Sequence, residues 1–219
     1  MKIHELLIRS EEDFIQAKEL INEVFNIDRI LPNQVFRGGY ANFKFTSSGW
    51  VMALQADEGK DFWDILKEIA AVTKDEYVIF AVLDSYPGNF FLREFAYNNW
   101  LKLPIDLSSM EYKNALFLDA PSDEPGFLPS MTYCAESFFL TGSSMQWGIW
   151  IDADWEMCVL GLKEGVGAEP ISQITKDWKS LEEVLLEGGG VTIRFDRADE
   201  LYIKHKQEMM QNYGSQNLC

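Results

Sequence analysis

The residues best able to act as bases, nucleophiles or soft metal ligands are two histidines, His4 and His205, and three cysteines, Cys134, Cys158 and Cys219. Their spacing offers little. Zinc sites built from side chains usually take His and Cys in close sequence pairs, and none occurs here. C-x-x-C, H-E-x-x-H and G-x-S-x-G are all absent. One nucleophilic pairing stays open: His205 as general base for Cys134 or Cys158, which need only meet in space. Against it stands a half-buried His205 on an apolar helix face, with the cysteines as small hydrophobes in strands. There is no G-x-x-x-x-G-K-[ST], and Gly161, Gly165 and Gly167 have the spacing of a turn before Pro170, not of a dinucleotide loop. The sequence implies no metal and no cofactor.

Carboxylates are abundant. Asp57, Glu58, Asp61 and Asp64 form one cluster, and Asp152, Asp154 and Glu156 form another. Glycosidases work with paired carboxylates and hard cations sit in oxygen cages. With 35 acids in 219 residues, however, clusters arise by number alone, and a solvated surface is the simpler reading. The distribution says more. Residues 114 to 175 hold nine acids and one base, Lys163, so about half of the net charge of −16 lies in under a third of the chain. The same window carries Trp147, Trp150 and Trp155. Alternation along a strand sends Trp147, Ile149 and Ile151 one way and Gly148, Trp150 and Asp152 the other. Either this strand is covered on both sides, or an aromatic anchor stands ringed by carboxylates. Anchors of that kind concentrate interface energy, and an acidic field around one speeds encounter with a basic partner.

The elements that must position these groups follow from pattern. IHELLI (3–8) suits a short strand. Ser10 with Glu11, Glu12 and Asp13 opens a helix whose Phe14, Ala17, Ile21 and Val24 share a face, ending near Phe25. Residues 26 to 39 read as loop. Segments 41–45 and 50–54 suit paired strands around Ser47-Ser48-Gly49. Asp61 opens a second helix, with Asp64 at the capping-box position, that buries Phe62, Ile65, Leu66 and Ile69. YVIFAVL (77–83) is a central strand covered on both faces. The stretch 90–100 fits helix or strand equally, and 112–118 reads as a strand.

Residues 119–130 hold three prolines and a glycine and read as a long functional loop, with a domain boundary as the alternative. FFLTG (138–142) is strand-like, and two further strands flank Asp152-Ala153-Asp154 as a hairpin. Ile174, Trp178, Leu181 and Leu185 suggest a third helix stopped by Gly188-Gly189-Gly190, and VTIRF (191–195) a last strand. A final helix, about 197–213, places Ala198, Leu201, His205 and Met209 on one face and Glu200, Lys204 and Glu208 on the other. Together these give an α+β fold, a mainly antiparallel sheet flanked by about four helices in a single domain spanning 1–219.

Hydrophobic residues make up 47% and charged residues 25%, with a pI near 4.5, which is globular composition with an acid surface. That surface repels phosphate backbones and anionic headgroups, so neither nucleic acid nor membrane is an expected partner. The start, MKIHELLIRSEEDF, lacks the long apolar core of a signal peptide, and no apolar stretch reaches the ~20 residues of a spanning helix. Three scattered cysteines suit reduced thiols. The expected location is the cytoplasm.

In size, acidity and the stretch QWGIWIDADWEMCVLGL, the chain resembles bacterial immunity proteins that neutralise polymorphic or contact-delivered toxins. The resemblance implies a cytosolic, non-enzymatic inhibitor whose acidic face covers the basic cleft of a nuclease-type toxin. It carries no individual residue over. The residues expected to bind the basic partner are Asp152, Asp154, Trp155 and Glu156 at the hairpin tip, with Asp123 and Glu124 in the preceding loop. Two other classes remain: a small hydrolase using the Cys/His pair, and a small-ligand-binding or structural subunit. The sequence leaves the oligomeric state open.

Overall fold

A computed structural model describes residues 5–46, 61–84, 92–93, 96, 98–116, 135–152, 157–186 and 200–214. Helix α1 (Glu11–Val24) starts where Ser10 accepts a 3.0 Å hydrogen bond from the Asp13 amide, and three acids in its first turn complement the helix dipole. Ala17, Ile21 and Val24 are buried; the extended backbone of Phe25 ends the helix. After a loop, β1 (Tyr40–Thr46) follows. Asp61 caps α2 (Phe62–Thr73), and Lys74 ends it in the left-handed conformation at φ 58°. Then come β2 (Tyr77–Asp84), β3 (Trp100–Pro104), α3 (Ser109–Leu116), β4 (Ala135–Gly142), β5 (Trp147–Asp152) and β6 (Met157–Lys163). Helices α4 (Ala168–Ile174), α5 (Leu181–Leu186) and α6 (Glu200–Tyr213) close the described chain.

The six strands form one sheet in the order β1-β6-β5-β4-β2-β3, every neighbouring pair antiparallel. The fold is α+β. Two apolar layers sandwich the sheet. Trp147, Ile149, Ile151, Cys158, Leu160 and Leu162 pack on one face with residues of α2, α3 and α4. Trp150, Met157, Val159 and Phe139 pack on the other with α1, the 25–36 loop, α5 and α6. Burial on both faces explains why β2, β5 and β6 read as unbroken apolar runs. Gly148 admits the close approach of α1, because a Cβ there would stand 2.5 Å from Val24 Cγ1 and 2.7 Å from the Phe25 ring. Among the described residues, no helix is long and apolar enough to cross a membrane.

Several local expectations are corrected. Leu7 forms a single bridge to Leu101 where a strand was expected over 3–8. Its neighbours still serve the sheet, since Ile8 N–H donates to Trp100 O and Lys102 N–H to Leu6 O, covering the outer edge of β3. The ladder partner of β1 is β6, and residues 50–54 lie outside the described residues. The expected strand at 112–118 is helix through Leu116, because Ser108 and Glu111 form a reciprocal capping box that starts α3. The expected third helix is two, α4 and α5. Lys179 lies between them and exchanges two backbone hydrogen bonds with Phe45 on the edge of β1. On α6 the buried side chains are Tyr202, Met209 and Tyr213, while Leu201 is exposed. The last expected strand, 191–195, lies outside the described residues.

Candidate functional site

The β5–β6 hairpin carries the tryptophans that dominate the acidic window. It is in register from Trp147↔Leu162 to Asp152↔Met157. The expected alternation holds: Trp147 and Trp150 face opposite layers, each 0% exposed. Trp150 meets the Phe139 ring edge-on at 4.4 Å and the Phe25 ring at 6.1 Å. Trp147 donates its indole N–H to Asp75 Oδ2 at 2.8 Å. For these two residues the double-sided core describes the strand, and neither is a surface anchor.

Asp152 ends β5 opposite Met157, the last pair before the tip, and is only 4% exposed. It lies near the Tyr213 hydroxyl, which burial above all pushes up, the charge of Asp152 adding to the effect. The phenol is held by the Val35 amide, which donates to it at 2.8 Å, and by Asn33 O, which it reaches at 2.6 Å. Asp154, Trp155 and Glu156 at the tip, and Asp123 and Glu124 in the preceding loop, lie outside the described residues.

The groups with chemical potential are separated. Cys158 is fully buried on the sheet face covered by α2, α3 and α4, and desolvation pushes its thiol well above its ordinary value. His205 belongs to α6, which packs on the opposite face through Met209 and Tyr213. The sheet stands between thiol and imidazole, so these two cannot form the dyad; Cys134 lies outside the described residues. The acids of the second helix are structural. Asp61 caps α2 and approaches Lys113 at 3.6 Å, and Asp64 pairs with Lys67 at 2.7 Å. Among the described residues, no group of three His, Cys, Asp or Glu side chains is placed to hold a metal ion.

Two features escaped the sequence. Asp75, 8% exposed, joins the α2–β2 turn to the β4–β5 turn. Its carboxylate accepts from Thr73 Oγ1 and the Ser144 amide, each at 2.5 Å, as well as from the Trp147 indole. A T-K-D-E turn after a helix gives no hint of this, because two of its donors, the Ser144 amide and the Trp147 indole, come from about 70 residues away. The second is the outward face of α1. It exposes Glu11, Glu12, Asp13, Glu19 and Glu23 against one base, Lys18, and leaves Ile15 49% exposed among them. Comparison with family models, curated proteins and solved structures finds no match.

Proposed function

We propose that the chain is an acidic protein-binding module, an immunity-type inhibitor that occludes the basic cleft of a nuclease-like toxin in the cytoplasm. The observation that carries this reading is the charge. The net charge is −16, and among the described residues α1 sets an exposed isoleucine among five exposed carboxylates. Such a field accelerates encounter with a basic protein and rejects nucleic acid. Asp154, Trp155 and Glu156 at the hairpin tip, with Asp123 and Glu124, form the proposed contact set. Asp152, buried at the end of β5, leaves the contact role to its neighbours.

The test is capture by the tagged chain from lysate of its own source organism, eluted in salt steps and identified by mass spectrometry. Asp154→Lys/Glu156→Lys is run beside it. A stoichiometric basic protein that the wild type retains and the double variant releases at lower salt supports the reading. Retention unchanged by the reversal discards the hairpin-tip assignment, and an empty eluate from cells expressing the target discards the inhibitor.

A further inference from the structure

We draw no further inference here: the strongest candidate, the exposed apolar flank of α6 at Ile203 and Met210 beside Lys206, carries nothing, because nothing among the described residues shows what covers it.

Discussion

At Asp75 a carboxylate is tolerated inside the protein because donors from three segments converge on it, and Gly142 makes room for it. A Cβ at Gly142 would overlap that carboxylate. Gly142→Ala must therefore push the acid off its donors and should cost about 3 kcal/mol, read as a lower urea midpoint at unchanged slope. Cys158 behaves as a core methyl-sized group. In a Cys134→Ser/Cys219→Ser background its thiol should resist alkylation at pH 8 in native protein and react only after denaturation. Tyr40 sets an alkaline limit. Burial first, and Glu23 second, push its hydroxyl up to about 12, while the hydroxyl donates to Met145 O at 2.6 Å. The unfolded phenol loses its proton near pH 10 while the folded one keeps it, so the unfolded state binds fewer protons between the two values. Stability is then full below pH 10 and falls as pH rises toward 12. Tyr40→Phe should flatten that part of a stability–pH curve, although Tyr112 and Tyr213, raised likewise by burial, keep a residual slope.

Among the elements, helix starts decide more than apolar runs do. Ser108 with Glu111, and Ser180 with Glu183, form the same reciprocal box, each serine amide donating to the glutamate and each serine oxygen accepting the glutamate N–H. Ser108→Ala and Ser180→Ala should each cost about 1 kcal/mol in denaturant unfolding. The double variant should add the two, as remote sites do. These boxes also show where the sequence was legible. The Ser10 start and the Asp61 cap were read correctly because a long periodic face follows each. The Ser108 box was missed because α3 is short and the β-forming residues of 112–118 mask the helical spacing of Tyr112, Ala115 and Leu116. Likewise, Ile174 through Leu185 keeps helical spacing across a break marked by the pairing of Lys179 with β1 and the Ser180 box. On α6 the face was misassigned: a weakly amphipathic helix does not declare its buried side, and Tyr213 is fixed there by the 33–35 loop. The same limit applies to the site. Alternation in β5 was legible residue by residue, but the burial of Asp152 depends on α6 and was not.

For the molecule as a whole, two covered faces and two partly guarded sheet edges leave charge as the dominant outward property. The outer edge of β3 is taken by residues 6–8, and that of β1 is bulged and bridged by Lys179, so strand addition is discouraged on both sides. Association then falls to side chains, and an electrostatically driven inhibitor has a definite salt signature because exposed charges are screened within about 10 Å at 0.1 M. The most direct measurement is titration calorimetry of the chain against the basic protein it captures, from roughly 0.05 to 0.5 M salt. The wild type and Asp154→Lys/Glu156→Lys are compared. The inhibitor reading predicts one-to-one binding that weakens steeply with salt, and a double variant that binds at least about tenfold more weakly with a shallower slope. Affinity indifferent to both salt and charge reversal would contradict it.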